Sequence, residues 1–276
     1  MEVNGYKIEP GADLRGANLS DANLNGVDLT YANLTGALLG CAKMNGAYLS
    51  EANLTDADLG HAWLTGVDLL HANLREAILS KARMIGANLT GAILSGADLT
   101  YADLTGANLW NAHLTGANLT GANLTGANLW NAKLNSADLS QADLTGANLT
   151  TVNLTGANLT SITLTRVDLS YADLPGVDLS GEILSGVDLS GANLTGVNLS
   201  NVTLTGANLT DTNLTGVDLT GANLAGANLT RTNLYQAVIS GVNVYNAIFS
   251  FRELPSVNLS GAILSGATMP DGTIHE

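Results

Sequence analysis

Residues 109–134 read LWNAHLTGANLTGANLTGANLWNAKL, and two rhythms run through them at once. The short one is five residues, x-A-N-L-T repeated. The long one is marked by the rare pair Trp-Asn, at Trp110–Asn111 and again at Trp130–Asn131, twenty residues later. From Leu14 to Ile274 every residue whose number ends in 4 or 9 is apolar, mostly Leu. Numbers ending in 2 or 7 are nearly all Ala or Val, and those ending in 3 or 8 are mostly Asn or Asp. Those ending in 5 or 0 are mostly Thr or Ser, and those ending in 1 or 6 are often Gly. A repeat this regular takes precedence over any local secondary-structure signal.

Geometry then narrows the architecture. In an α-helix a five-residue step rotates the chain by about 140°, so the Leu side chains would ring the helix. Frequent Gly, Asn, Asp and Thr also oppose a long helix. In a straight strand Ala and the Leu two residues later share a face, but the next Ala falls on the opposite one. All can stay inside only if the chain turns a corner in each pentapeptide, and Asn, Asp, Ser, Thr and Gly suit such corners. The exceptions to the repeat set the number of sides. Trp110 and Trp130, the series Lys43, Trp63, Arg83 and the series Cys41, His61, Lys81 all step by twenty. Twenty residues is therefore one coil of four sides. The chain is expected to make about thirteen coils stacked about 4.8 Å apart, a rod about 60–65 Å long.

The A-(N/D)-L-x-x pattern, as in GANLT at 116–120 and GADLT at 96–100, resembles the pentapeptide-repeat family over residues 11–274. The resemblance implies an all-β fold, a right-handed quadrilateral β-helix, and the handedness comes from the resemblance alone. It does not imply one activity. Some members mimic duplex DNA and bind DNA gyrase, giving quinolone or toxin protection, and others act in developmental regulation in cyanobacteria. Fold membership leaves function to the site. The gyrase-binding members often carry loops or a broken frame, and this frame is unbroken.

One continuous solenoid over residues 11–276 is expected, with residues 1–10 (MEVNGYKIEP) as an N-terminal cap in which Tyr6 and Ile8 cover the first coil. No apolar run is long enough to cross a membrane, the first residues lack a signal-peptide core, and the single Cys41 suits a reducing compartment. A cytoplasmic protein is the expectation. The net charge of −14 argues against direct nucleic-acid binding. The acid is concentrated in 138–230, where the column Asp138, Asn158, Asp178, Asn198, Asp218 alternates carboxylate and amide. Such alternation keeps charges about 10 Å apart, roughly a Debye length at physiological salt.

Nothing in the sequence suggests catalysis, a metal or a cofactor. No nucleophile–base arrangement or phosphate loop is present, and a narrow solenoid filled with Leu and Ala leaves little pocket. His61 and Cys41 stand one coil apart, but two ligands do not make a usual metal site. Two clusters instead suggest protein interaction. Lys43, Trp63 and Arg83 share one outer column, where Lys43 and Arg83 could each form a cation–π contact with Trp63. Trp110 with His113, and Trp130 with Lys133, form the second. Trp is enriched at interface centres. The aromatic-rich end, with Tyr235, Tyr245, Ile248 and Phe251, suggests an end-to-end homodimer through the last coils, because a β-helix has open strand edges only at its ends. Two charges occupy interior slots, Glu182 and Arg252, and a local bulge turning each side chain outward is the expected escape. The reading is a non-enzymatic scaffold that binds an unidentified protein. The alternative is a DNA mimic that binds gyrase.

Overall fold

The computed structural model describes residues 1–250 together with Ser265, Ala267, Thr273 and Ile274; of Phe249 and Ser250 it describes the backbone alone. No helix occurs among the described residues, and all of the pairing is β. A hairpin opens the chain, with β1 (Glu2–Val3) antiparallel to β2 (Tyr6–Lys7). It lies against the first coil: Ile8 is buried, and Val3 and Tyr6 pack on the core. From residue 13 onward, parallel bridges join residues twenty apart, such as Asp13 with Asn33, Asn18 with Leu38, Asn23 with Lys43 and Asp28 with Tyr48. Each twenty residues thus supplies four bridging positions, one per side of the coil. Side 1 holds the column from Asp13, side 2 from Asn18, side 3 from Asn23 and side 4 from Asp28. The last described pairing is the short parallel ladder of β3 (Asn228–Thr230) with β4 (Ile248–Ser250).

One pentapeptide shows why the repeat has its composition. In Gly116–Thr120 the Gly116 amide donates to Asn135 O in the next coil at 3.0 Å, and the Ala117 amide to Leu114 O at 2.9 Å. The Asn118 amide donates back to Ala97 O at 2.9 Å, and the Leu119 amide forward to Asp138 O at 2.6 Å. That leaves Thr120, whose amide donates to Asn118 Oδ1 at 3.1 Å while its hydroxyl donates to the same oxygen at 2.7 Å. Asn or Asp therefore stands before Leu because its side chain takes the one amide that no carbonyl reaches, as in an Asx turn. Ala117 and Leu119 point inward and are essentially inaccessible. The space among Leu139, Leu149, Leu159 and Leu174 is too small for a water molecule.

Corner residues sit at positive φ, whether Gly or not: Gly116 at 67°, Asn111 at 57°, Tyr101 at 56°. At several corners a large side chain leans over the glycine of the next coil. A Cβ on Gly121 would lie 2.4 Å from the Tyr101 ring, and one on Gly191 would lie 2.5 Å from the Tyr171 ring.

The interior irregularity at Glu182 takes a different form from the bulge expected. Glu182 stays in frame: its amide donates to Leu179 O at 3.2 Å and its carbonyl accepts from Thr203 at 2.9 Å. Its half-buried side chain reaches down to the preceding coil and accepts the Ser161 amide at 2.8 Å. The irregularity appears between coils. The series of bridges is continuous along the described rod except at two places, Asn158 to Asp178 on side 2 and Thr163 to Ile183 on side 3. Arg252 lies outside the described residues. Two interior threonines are accommodated without disturbance, since Thr212 and Thr232 donate their hydroxyls to Leu189 O and Leu209 O, each at 2.8 Å.

The two demands made of glycine can be separated. Gly126→Ala meets only the positive-φ strain, because nothing lies near its would-be Cβ, whereas Gly121→Ala must also displace Tyr101. Thermal unfolding should show Gly126→Ala destabilised by about 1 kcal/mol and Gly121→Ala destabilised further; equal losses would show that the tyrosine yields freely.

Candidate functional site

The residues singled out in the sequence fall into two groups on diagonally opposite corners of the coil. Lys43, Trp63 and Arg83 form consecutive bridges on side 3, beside the corner between sides 2 and 3 where Cys41, His61 and Lys81 stack. Arg83 lies over Trp63, with its Cζ 4.7 Å from the ring centroid, a favourable cation–π geometry. Lys43 bridges the same tryptophan through the backbone but makes no such ring contact.

These three residues displace the Asn or Asp that would cap a backbone amide. The structure repairs two of the three losses. Asn45 takes over through its neighbour, its amide donating to Asn25 Oδ1 at 2.9 Å, and the Thr65 amide donates to Asn45 Oδ1 at 3.1 Å. Asn25 and Asn45 occupy slots usually filled by Thr, so the capping oxygen comes from one coil below. Beside Arg83 no such relay exists, and the Ile85 amide has no hydrogen bond among the described residues. The relay was legible only as two misplaced asparagines, and its purpose needed coordinates.

The second group wraps the corner between sides 4 and 1. Trp110 and Trp130 stack, with ring centroids 5.6 Å apart and planes 18° from parallel. Both keep the amide bond to the preceding Asn, Asn108 and Asn128, at 3.2 Å. At the corner itself Asn131 donates to Asn111 Oδ1 at 2.7 Å. Just beyond, His113 pairs with Lys133 on side 1. Partial burial and the neighbouring Lys133 charge hold the His113 imidazole below its usual pKa. Trp110 remains 41% exposed.

Acidic residues form a third feature, longer than the sequence reading had it. The side 2 column continues downward through Asn118 to Asp98 and Asp58. Carboxylates stand on every second coil at Asp58, Asp98, Asp138, Asp178 and Asp218, about 10 Å apart where coils stack regularly. Each accepts a backbone amide two residues on, at 2.8–3.0 Å: Gly60, Thr100, Ser140, Ser180 and Thr220. Burial pushes Asp138 up, but bonds from Ser140 and Asn158 outweigh it and bring the carboxyl below its usual range. Bonds from Thr220 do the same for Asp218. Asn158 donates to Asp138 at 3.1 Å, and on its other side the bridge to Asp178 is one of the two that are interrupted.

Tyr235, Tyr245 and Ile248 are exposed on the outer sides of the last described coils; Phe251 lies outside the described residues. Cys41 is exposed and free, and no cluster of three metal-ligating side chains occurs among the described residues. Among the described residues no helix is long and apolar enough to cross a membrane.

The pentapeptide repeats family matches in 8 copies, over segments that run from residue 11 to residue 250. The chain belongs to the pentapeptide-repeat family. Members of this family form right-handed β-helices. The chain is 30% identical to HetL, a pentapeptide repeat protein involved in heterocyst differentiation regulation from the cyanobacterium Nostoc sp., covering 98% of this chain and 94% of HetL with a TM-score of 0.36. A trypsin-treated form of QnrB1, a plasmid-mediated fluoroquinolone resistance protein, is 20% identical, covering 72% of this chain and 89% of its own with a TM-score of 0.51. A pentapeptide repeat protein from the Arabidopsis thaliana thylakoid lumen is 27% identical, covering 51% of this chain and 70% of its own with a TM-score of 0.17. No curated protein matches the chain.

The His113–Lys133 pair makes a prediction with a definite sign. Because folding lowers the imidazole pKa, the unfolded chain binds this proton more readily. The contribution of His113 to stability is complete above about pH 6.5 and falls away as pH drops through the lowered folded value. Lys133→Ala should move the His113 pKa upward in an NMR titration, leaving the contribution of burial in place. An unmoved pKa would show that Lys133 is too well screened to matter.

Proposed function

We propose that this chain is a non-enzymatic protein-interaction scaffold, a right-handed quadrilateral rod of about thirteen coils, working in the cytoplasm. One observation carries this reading. At Lys43, Trp63, Arg83, His113 and Lys133 the repeat abandons the residue that caps its own backbone and places a large or cationic side chain outward. The rod interior is closed, so the surface is what such a molecule has to offer. Tryptophan and arginine are the side chains that most often anchor interfaces. The stacked Trp110–Trp130 pair presents a broad preformed aromatic surface, flanked by the His113–Lys133 pair of side 1. End-to-end pairing of two copies through the last coils, around Tyr235, Tyr245, Ile248 and Phe251, belongs to the same reading.

A second reading is favoured by one feature, the evenly spaced carboxylates of side 2. A row of fixed negative charge along a rod is what a mimic of the duplex DNA backbone requires, and DNA gyrase would then be the target. Likeness to QnrB1 supports the fold and adds nothing about residues.

Both readings are decided by binding. In affinity capture from the source cell, Trp110→Thr/Trp130→Thr should lose about tenfold or more of the captured partner. It should keep a cooperative melt, since Thr fills the equivalent slots at Thr90 and Thr150. Full capture by the variant would remove the tryptophan pair from the interface. Inhibition of gyrase supercoiling by the purified chain, relieved by neutralising Asp98, Asp138 and Asp178 together, would replace the scaffold reading with mimicry.

A further inference from the structure

We propose that the rod contains a joint between the coil carrying Asn158 and Thr163 and the coil carrying Asp178 and Ile183, and that the Glu182 side chain holds this joint open. Everywhere else on the described rod the inward slot of the repeat holds an apolar residue or a hydroxyl that bonds to the chain. Glu182 brings a carboxylate into that slot, and a carboxylate needs hydrogen-bond donors and water. It takes its donor from the coil below, the Ser161 amide at 2.8 Å. The regular pattern would send that amide to the carbonyl of Ser180.

The consequences extend over half a turn. On sides 2 and 3 the amides of Leu159, Leu164, Asp178 and Ile183 make none of the inter-coil hydrogen bonds that their equivalents make in other coils. Two coils below, those equivalents are Leu119 to Asp138 O at 2.6 Å, Leu124 to Asp143 O at 2.7 Å, Asp138 to Ala117 O at 3.0 Å and Asp143 to Ala122 O at 3.0 Å. An opening of about 210 Å³ lies between the parted coils, lined by Ile162, Thr163, Leu164, Thr165, Glu182 and Ile183. That volume holds several waters at about 30 Å³ each, enough to solvate the carboxylate and the parted edges. Ile183 is left 70% exposed at its mouth.

The other half-turn stays paired, although the Asp188 amide lacks the bond to Val167 O that its equivalents make. On side 4 the Leu149 amide donates to Asp168 O at 2.8 Å, and on side 1 the Leu154 amide donates to Asp173 O at 2.8 Å. At the corner between them Thr151 donates to Ser170 O at 3.0 Å, and Tyr171 to Ser190 O at 2.8 Å. The two coils are therefore tied by backbone bonds along one corner and by the Ser161–Glu182 bond alone along the diagonally opposite one, which is the arrangement of a hinge. Bending there costs only the Ser161–Glu182 bond on the open side, because the backbone-to-backbone bonds between the coils are already absent. It changes the separation of Asp138 from Asp178 on side 2 while leaving Asp58, Asp98 and Asp138 at fixed spacing. The joint thus divides the acidic column into a rigid lower part and a movable upper part.

Hydrogen exchange of the full-length protein, resolved by residue, tests this. The amides of Leu159, Leu164, Asp178 and Ile183 should exchange at least about a hundredfold faster than those of Leu119, Leu124, Asp138 and Asp143. Glu182→Ala restores the commonest occupant of the slot and should slow the four amides to the rate of the comparison set. Glu182→Val, matching Val202 in the coil above, should do the same and serves if the alanine variant packs poorly. Glu182→Gln keeps the length and the accepting oxygen and should leave the four amides fast. In a Cys41→Ser background, nitroxides at Asn123→Cys and Asn223→Cys, five coils or about 24 Å apart, should show a broad distance distribution that narrows with Glu182→Ala. Four amides as slow as the comparison set in the parent protein would overturn the proposal. So would four amides that stay fast in both folded apolar variants, or a distance distribution whose width does not respond.

Discussion

A typical pentapeptide of this chain has five backbone amides and an apolar pair to hide, and the fold is the arrangement that settles both. Three amides go to carbonyls of neighbouring coils and one closes the turn within its own coil. The fifth, at the Thr or Ser, reaches no carbonyl and is taken by the Asn or Asp side chain two residues back. With Ala and Leu pointing in, the outer positions are released from any packing duty. Buried backbone groups without partners are rare in proteins because each costs about as much as a lost hydrogen bond. A rod with no helix and hardly any continuous strand can therefore still be rigid.

The same constraint explains which features could be read from the letters. The coil length followed from Trp110 and Trp130, because side chains too large for the background must lie near one another to be tolerated, and the stacked rings confirm their register. The columns followed by arithmetic. What could not be read was the response of the backbone. Glu182 was visible as a charge in an apolar slot, but a bulge within its own coil and a parting from the coil below are equally open to a reader of sequence. In the structure the coils part, and the Ser161 amide donates to the carboxylate in place of Ser180 O. Likewise Asn25 and Asn45 look like neutral variants of Thr until their side chains are seen capping Asn45 and Thr65. Tyr101 and Tyr171 gave no hint that they would lie over Gly121 and Gly191, since that depends on the direction a side chain takes from positive φ.

The outer surface divides by corner. Sides 2 and 3 meet where Lys81, His61 and the Arg83–Trp63 pair face one flank and the carboxylates of Asp58 and Asp98 face the other. Opposite charges so placed on adjoining sides give this edge a transverse dipole, whereas from Asn88 to Asn153 sides 4 and 1, where Trp110 and Trp130 stack, carry no acidic residue. Surface charge of this kind governs orientation and encounter more than affinity. The tryptophan pair, with its area already flattened and ordered by stacking, supplies affinity at little cost in side-chain entropy. A partner that touches both corners would have to embrace the rod.

All of this depends on a coil of twenty residues with four sides. Disulfide formation measures it directly. In a Cys41→Ser background, Asn118→Cys/Asp138→Cys joins residues that bridge in adjacent coils, within the Cα separation of about 4.4–6.8 Å that a disulfide spans. Asn123→Cys/Asp138→Cys is the fifteen-residue alternative, which would be in register only if each coil had three sides. Mild oxidation should cross-link the first pair to completion and leave the second reduced, with both proteins folded. A cross-link in the second pair and none in the first would contradict the four-sided coil and everything built on it.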